Sequence, residues 1–125
     1  MFETRTGEVA RGALDGLASR HRAYVNNLAN LETPGFQPGD VPFEAHLRKF
    51  RDAMLADPAT SRAVPPHLLE VVPDDQAANR EDQNGVQADR QMIRLEENTL
   101  TYEALAQATR LRAGLMRSVL TEGRG

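Results

Sequence analysis

The distribution of proline constrains the fold of this chain more than any other feature. Six of the seven prolines fall within residues 37–86, and the 39 residues that follow contain none. Proline lacks a backbone N–H and clashes with the preceding helical turn, so long helices are confined to the two ends. The sequence therefore predicts three parts: an N-terminal helix and turn over 1–36, a short, partly flexible middle region over 37–86, and a C-terminal helix over 87–125.

The N-terminal part contains an apolar row at heptad spacing. Steps of three and four residues connect Ala10 to Leu31, with His21 at one of the positions. This spacing is typical of a helix that buries one narrow seam. Three glycines in its first half each cost about 1 kcal/mol relative to alanine, so this helix needs a partner. The residues predicted for the seam are Leu14, Leu17, Tyr24, Leu28 and Leu31.

The C-terminal part contains two neighbouring apolar rows. The first keeps steps of three and four from Met92 to Leu120, and the second lies beside it from Ile93 to Val119. One partner helix covers one row, so the second row needs a further neighbour. We predict that the terminal helices pair as an antiparallel coiled coil, with neighbouring subunits on the remaining row. The residues predicted for the C-terminal seams are Met92, Leu95, Tyr102, Leu111, Leu115, Met116 and Leu120.

The middle region has shorter signals. The apolar row Phe43–Met54, preceded by Asp40 and a proline, predicts a short amphipathic helix with its N-cap at Asp40. Residues 68–72 lie between prolines and predict one short strand, and Asn84-Gly85 predicts a turn. The expected fold class is mainly α, with two long terminal helices and a short irregular middle region that has a short helix and room for one or two short strands.

The composition excludes several kinds of site. The chain has no cysteine, which removes disulfides, thiol nucleophiles and cysteine-type zinc sites. Its net charge is −3, and an acidic chain binds nucleic-acid phosphates poorly. The three histidines lack metal-ligand spacing, and no run approaches the ~18 apolar residues that span a bilayer. We therefore expect no enzyme activity, cofactor, metal, nucleic-acid partner or membrane span.

The junction between the first helix and the middle region reads Asn27-Leu28-Ala29-Asn30-Leu31-Glu32-Thr33-Pro34-Gly35-Phe36. Proline disfavours helical angles at the residue before it, so the helix is expected to end ahead of Pro34. Pro34-Gly35 fits the central pair of a type II turn, in which glycine supplies the positive φ. Asn27 and Asn30 share a helix face, where their amides can bond a neighbouring backbone or each other. Phe36 is the expected apolar anchor after the turn.

This string resembles the N-terminal motif of the bacterial flagellar rod, hook and hook-associated axial proteins, Asn-Leu/Ile-Ala-Asn-x-x-Thr-Pro-Gly-Phe/Tyr, at every fixed position. The chain is about as long as the short proximal-rod members of that family. It also resembles them in sequence at residues 36–43, 84–90 and 97–102. Gly39 and Gln91 depart from the pattern, since a basic residue and a glutamate are common there. The resemblance implies an assembly motif at Asn27, Leu28, Ala29, Asn30, Thr33, Pro34, Gly35 and Phe36, and a C-terminal motif at Asp89, Asn98, Leu100 and Tyr102.

The resemblance implies a structural subunit of the proximal rod of the flagellar basal body, which self-assembles through its terminal helices into the axial tube that transmits torque. The implied partners are copies of itself and other rod proteins, the basal-body membrane ring with its rod adaptor, and the flagellar type III export apparatus. Export to the periplasmic rod would need no cleaved signal peptide, and the first eight residues, with two acids and no apolar block, are not typical of one. A cytoplasmic coiled-coil adaptor or export chaperone would also explain the heptads, but not the ten-residue string.

Overall fold

The computed structural model describes residues 2–56, 70–74 and 84–123. Along these residues the elements alternate between helix and strand. The helices are α1 (Phe2–Ala29), α2 (Phe43–Ala56) and α3 (Asn84–Glu122), and the strands are β1 (Gly39–Asp40) and β2 (Val72–Pro73). The predicted fold class, mainly α with two long terminal helices and a short middle region, is confirmed.

The two long helices pack against each other in opposite directions. α1 has 28 residues and α3 has 39, so at 1.5 Å per residue they are about 42 and 58 Å long. Asn98 Nδ2 donates to the Leu17 carbonyl at 2.9 Å, and Asn27 Nδ2 donates to Gln91 Oε1 at 3.4 Å. The residue numbers on α3 fall as those on α1 rise, so the pair is antiparallel, as predicted.

The interface between α1 and α3 contains several buried amides and few large apolar side chains. Leu17 is fully buried and Tyr24 is 6% exposed, while Asn27, Gln91 and Asn98 are at most 1% exposed. Buried amides need hydrogen-bond partners, and one left without them costs free energy. Asn98 contributes most to the register of the two helices, because it bonds both the Leu17 carbonyl and Arg20 of α1. Gln91 accepts only the 3.4 Å contact from Asn27, and its Nε2 has no hydrogen-bond partner among the described residues.

The row of α3 that faces α1 differs from the predicted row. Met92 and Leu120 were expected against α1, but they are 52% and 59% exposed, whereas Gln91 is buried. The prediction is wrong at Met92 because hydrophobic periodicity does not count an amide that is buried with a partner. It is wrong at Leu120 because the antiparallel register carries this end of α3 past the first residues of α1.

The side of α3 turned away from α1 carries large apolar residues. Their exposed fractions lie between 56% and 68%. From the first to the last of them the helix rises about 39 Å. These residues belong to the second apolar row of the sequence, and α1 does not cover them. We call this set the outer stripe: Ile93, Leu100, Leu111, Leu115 and Val119.

The two strands of the middle region form a small antiparallel sheet. Gly39 lies opposite Pro73, and Asp40 lies opposite Val72. The strand expected over residues 68–72 overlaps β2 only at Val72, because Glu70 and Val71 lie outside the strand. Leu68 and Leu69 lie outside the described residues. Strand β1 had no sequence signal of its own, since two residues are too few to show alternation.

Two boundaries of helices differ from the sequence prediction. α2 begins at Phe43, and the Pro42 carbonyl accepts the first helical hydrogen bond from the His46 N–H at 3.1 Å. An N-cap at Asp40 is therefore wrong by two residues. The turn expected at Asn84-Gly85 is also wrong, because α3 begins at Asn84.

Candidate assembly site

The assembly motif contains a turn that directs the chain away from α1. The helix ends at Ala29, and further on the Phe36 N–H donates to the Thr33 carbonyl at 3.2 Å. Gly35, the third residue of this turn, has a φ of 76°. The hydrogen bond and the positive φ match the type II turn expected from Pro34-Gly35. Glycine is suited to this position because a side chain would make the left-handed conformation unfavourable.

The second asparagine of the motif supports this turn locally. Asn30 Nδ2 donates to the Asn26 carbonyl at 2.8 Å, and Asn30 Oδ1 accepts from the Thr33 hydroxyl at 3.2 Å. All of these contacts are exposed. Asn30 thus joins the last turn of α1 to the start of the type II turn.

The first asparagine of the motif attaches β1 to the helix pair. Asn27 Nδ2 donates to the Gly39 carbonyl at 2.7 Å, and the Gly39 N–H donates to Asn27 Oδ1 at 2.9 Å. The amide thus pairs with both backbone groups of one residue, as a neighbouring strand does. Asn27 Nδ2 also donates to Gln91 Oε1, which brings α1, β1 and α3 to one buried point.

A second polar cluster attaches the strands to both long helices. The Tyr24 hydroxyl donates to Asp40 Oδ1 at 2.9 Å, and Arg94 Nη1 donates to Asp74 Oδ2 at 2.7 Å. The Arg94 guanidinium also lies 5.8 Å from the centroid of the Tyr24 ring, within cation–π range. Burial alone would lower the pKa of Arg94, but its hydrogen bond to Asp74 and the negative charge there prevail and raise it. Arg94 is therefore charged within this cluster.

A third polar cluster joins the three helices. Arg20 Nε donates to Asn98 Oδ1 at 2.7 Å, and Arg20 Nη1 donates to both carboxylate oxygens of Glu44 at 2.8 and 2.9 Å. The Arg20 guanidinium lies 5.6 Å from the centroid of the Phe43 ring. Partial burial would raise the pKa of Glu44, but the hydrogen bond and charge of Arg20 outweigh it, and the pKa falls below its usual value. The start of α2 is therefore held on α1 by the charge-assisted contact of Arg20 with Glu44, and Arg20 also bonds α3 through Asn98.

Replacing Gly39 by alanine is expected to lower the free energy of unfolding by about 1–3 kcal/mol, as overpacking does. A Cβ at this position would lie 2.5 Å from Val71 Cγ1, so the Val71 side chain or the adjacent strand would have to shift. Denaturant unfolding followed by circular dichroism measures the change. Adding Val71→Ala to the Gly39→Ala variant should restore most of the lost free energy of unfolding. The matched substitution Gly114→Ala, which meets nothing within 4 Å, should stabilise α3 instead, and equal effects at both glycines would contradict the close contact.

Alkaline pH is expected to destabilise the fold through Tyr24. Burial raises the pKa of Tyr24 above its usual 10.0, and the hydrogen bond to Asp40 and the charge of Asp40 raise it further. A raised pKa contributes stability that is fully present below pH 10 and is lost as pH rises, because the unfolded phenol ionises first. The loss is at most about 1.4 kcal/mol per pH unit. Denaturant unfolding of the wild type and Tyr24→Phe across this range measures it, and identical slopes would contradict the prediction.

The remaining candidate residues occupy less buried positions. The seam residues Leu14, Leu28, Leu31, Leu95 and Met116 are partly buried, as is Phe36 after the turn, whereas the predicted seam member His21 is exposed. In the C-terminal motif the structure buries Asn98 but leaves Leu100 at 66% and Tyr102 at 39% exposed. The other exposed residues of the two motifs are Ala29, Thr33, Pro34, Gly35 and Asp89.

Several residues of the polar clusters were missed from the sequence. Arg20 and Arg94 gave no signal, since single charged residues between apolar positions are usually solvated. Asp74 belongs to an acidic stretch whose composition predicts a solvated loop. Gln91 was noted only as a departure from the family pattern. Asp40 was noted, but as a helix cap. One sequence signal could have identified two of the buried amides. Asn98 and Gln91 are seven residues apart, and this heptad spacing places them on one face of α3.

Among residues 2–56, 70–74 and 84–123 no group of three or more His, Asp or Glu side chains is arranged to hold a metal ion. Over the same residues, no helix combines the length and apolar character needed to cross a membrane. The described polar clusters instead connect secondary-structure elements to one another.

Sequence comparison relates the chain to curated proteins along most of its length. It is 31% identical over 126 residues to the flagellar basal body rod protein FlgB of Escherichia coli (strain K12), with 89% of each chain covered. The chain belongs to the FlgB family of flagellar basal-body rod proteins. It is also 24% identical over 116 residues to FlgB of Bacillus subtilis (strain 168), with 90% of each chain covered. No protein-family model matches the chain.

Proposed function

We propose that the chain is a structural subunit of the proximal rod of the flagellar basal body, which self-assembles through α1 and α3 into the axial tube that transmits torque. One observation carries this proposal: the outer stripe exposes five large apolar side chains along about 39 Å of α3. A contiguous exposed apolar surface on a small protein marks an interaction site. A rod subunit has such a surface because its neighbours complete its core.

The distribution of buried groups supports assembly through the helices. Polar contacts at Asn27 and Asn98 join α1 to α3 within one chain, whereas the five apolar side chains of the outer stripe face outward. Each leucine of the outer stripe gains about 1.5–3 kcal/mol when it is fully buried. The hydrophobic gain is thus available mainly for contacts between subunits. Repeated heterologous contacts that do not close produce a tube, and such a tube transmits torque without chemistry.

The assembly motif gives the middle region a fixed position on the helix pair. The turn at Thr33–Phe36 directs the chain outward, and Asn27 holds β1 against α1 and α3. We propose that the three parts 1–36, 37–86 and 87–125 act as inner helix, outer element and inner helix of one rod subunit. In this role the motif sets how far the middle region projects from the axis.

The partners follow from this location. We propose contacts with copies of the chain and other rod proteins, with the basal-body membrane ring and its rod adaptor, and with the flagellar type III export apparatus. The subunit would reach the periplasmic rod through that apparatus without a cleaved signal peptide. The glycines that weaken α1 support this route, since export through a narrow channel requires an unfolded chain.

Deleting the gene and complementing the strain with an epitope-tagged chain tests the rod assignment. We expect the deletion strain to be non-motile and the complemented strain to swim. Basal bodies purified from the complemented strain should contain the tagged chain. A motile deletion strain would contradict the assignment, and a tagged chain that stays in the cytoplasm would favour an adaptor or export chaperone.

A further inference from the structure

The charged residues of α3 between positions 96 and 117 are all exposed, and the acids precede the bases. Three glutamates come first and three arginines follow. The N-terminal half of this stretch is therefore acidic and its C-terminal half is basic. In chain order these residues are Glu96, Glu97, Glu103, Arg110, Arg112 and Arg117.

Four of these charges form one row beside the outer stripe. They are seven residues apart, and this spacing places them on one face of α3. The first two lie one turn before and one turn after Leu100, so the row runs along the edge of the outer stripe. We call this set the charge row: Glu96, Glu103, Arg110 and Arg117.

The charge row has no ion-pair partner among residues 2–56, 70–74 and 84–123. On α3 itself, the residues three and four positions from each member are uncharged, so no pair at helical spacing is possible. Glu103 and Arg22 of α1 line the same groove, but the ion pairs of the described residues include neither of them. These four charges are therefore available to another molecule.

A second α3 that runs in the opposite direction matches the order of these charges. In an antiparallel helix pair the same flanks of the two helices meet, so the charge row of one copy faces the charge row of the other. The acidic half of each row then meets the basic half of its partner. The pairs are Glu96 with Arg117 and Glu103 with Arg110, and a two-fold axis forms each of them twice.

The apolar side chains meet in the same register. Both charge pairs have their midpoint between residues 106 and 107, and the midpoint of Leu100 and Leu111 lies one residue earlier. When Leu100 of each copy lies level with Leu111 of the other, the paired charges are within about 3 Å of each other along the axis. The two leucines are 66% and 65% exposed in the single chain, so this register covers apolar surface and pairs charges together.

A parallel pair of α3 helices does not match in this way. Opposite flanks meet in a parallel pair, so the charge row would face the other edge of the outer stripe. In register, the two glutamates of the row would face Thr101 and Ala108, and its first arginine would face Leu115. Three of the four charges would then lack an opposite charge, so the row favours the antiparallel orientation.

We infer that two copies of this chain pair through α3 in antiparallel orientation, with Leu100 of each copy against Leu111 of the other and the charge rows facing each other. This contact is isologous and closes at two copies, whereas a tube needs heterologous contacts. The dimer is therefore not the rod contact. It covers part of the outer stripe and keeps free copies from polymerising before they reach the rod.

Charge reversal tests the pairing in solution. In sedimentation velocity the purified full-length chain should show a concentration-dependent equilibrium between monomer and dimer, with no larger species. Glu103→Arg or Arg110→Glu alone should raise the dissociation constant about tenfold, because each places like charges opposite each other twice. An equal mixture of the two variants should dimerise like the wild type, since positions 103 and 110 then carry opposite charges across the contact. Both positions are exposed, so each variant should keep the circular dichroism of the wild type.

Disulfide trapping measures the orientation, because the natural chain has no cysteine. The thiols of Leu100→Cys/Leu111→Cys lie about 16 Å apart along one α3, too far to bond within the chain. Mild oxidation should therefore link two copies into a covalent dimer and produce no longer multimer. The matched control Leu100→Cys/Val119→Cys carries its second thiol about 12 Å further along α3 and should give no dimer.

The outcomes separate the dimer from the rod assignment, because the purified chain alone tests the dimer. A dimer formed by a chain that is absent from basal bodies would support the dimer and overturn the rod assignment. Monomers at every concentration would overturn the dimer, and basal bodies that contain the chain would leave the rod assignment intact. Covalent dimers from Leu100→Cys alone, a ladder of multimers from the double variant, or equal trapping in the control would each overturn the dimer.

Discussion

Replacing Asn27 by alanine is expected to lower the free energy of unfolding by about 2–4 kcal/mol, because both backbone groups of Gly39 would lose their partner. Asn27 is 1% exposed, and its amide makes bonds of 2.7 and 2.9 Å to the Gly39 carbonyl and N–H. Alanine can make neither bond, and the truncation leaves a cavity between α1, β1 and α3. Denaturant unfolding followed by circular dichroism measures the loss.

The neighbouring asparagine of the motif is the matched control. Asn30 makes exposed contacts within its own turn, so Asn30→Ala should change the free energy of unfolding by less than about 1 kcal/mol. Equal losses at the two positions would show that the buried contact to Gly39 does not set the effect. A neutral Asn27→Ala would contradict the attachment of β1 by this side chain.

Introducing two acids into the outer stripe is expected to abolish swimming. The double variant Leu111→Glu/Leu115→Glu places charges where the proposed rod contacts exclude water, and burying unpaired charges is strongly unfavourable. Both leucines are about two-thirds exposed in the single chain. The free energy of unfolding of the purified variant should therefore stay within about 0.5 kcal/mol of the wild type. Soft-agar motility of the complemented deletion strain is the readout.

Two exposed arginines on another face of α3 provide the control for net charge. Arg110→Gln/Arg117→Gln lowers the net charge by the same two units without removing an apolar side chain. This variant should keep most of the swimming of the wild type. Normal swimming with the leucine variant would contradict an interface at the outer stripe, and equal loss in both variants would show that net charge rather than apolar contact is responsible.

Much of the helical architecture could be predicted from the sequence. Proline placement confined the long helices to the ends, and periodicity identified two apolar rows on α3, one more than α1 can cover. Local chemistry also predicted the turn after α1, since Pro34-Gly35 has few alternatives to a type II turn. These features depend on residues close together in the chain, which is why they can be read from the sequence.

The polar contacts that position the middle region could not be predicted in the same way. Arg20 with Glu44, and Arg94 with Asp74, join residues 24 and 20 positions apart, and no periodic pattern reports such pairs. Gln91 was expected to be less buried than Met92, because hydrophobicity scales treat an amide as polar whether or not it has a partner. Contacts between residues far apart in the sequence therefore determine which of these side chains are buried and paired.

Cryo-electron microscopy of purified basal bodies tests the central claim most directly. If the chain is a proximal rod subunit, density for α1 and α3 should appear in the rod next to the membrane ring. The outer stripe, from Ile93 to Val119, should be buried against neighbouring subunits there. A proximal rod that contains no such chain, or a rod in which the outer stripe faces water, would contradict the claim.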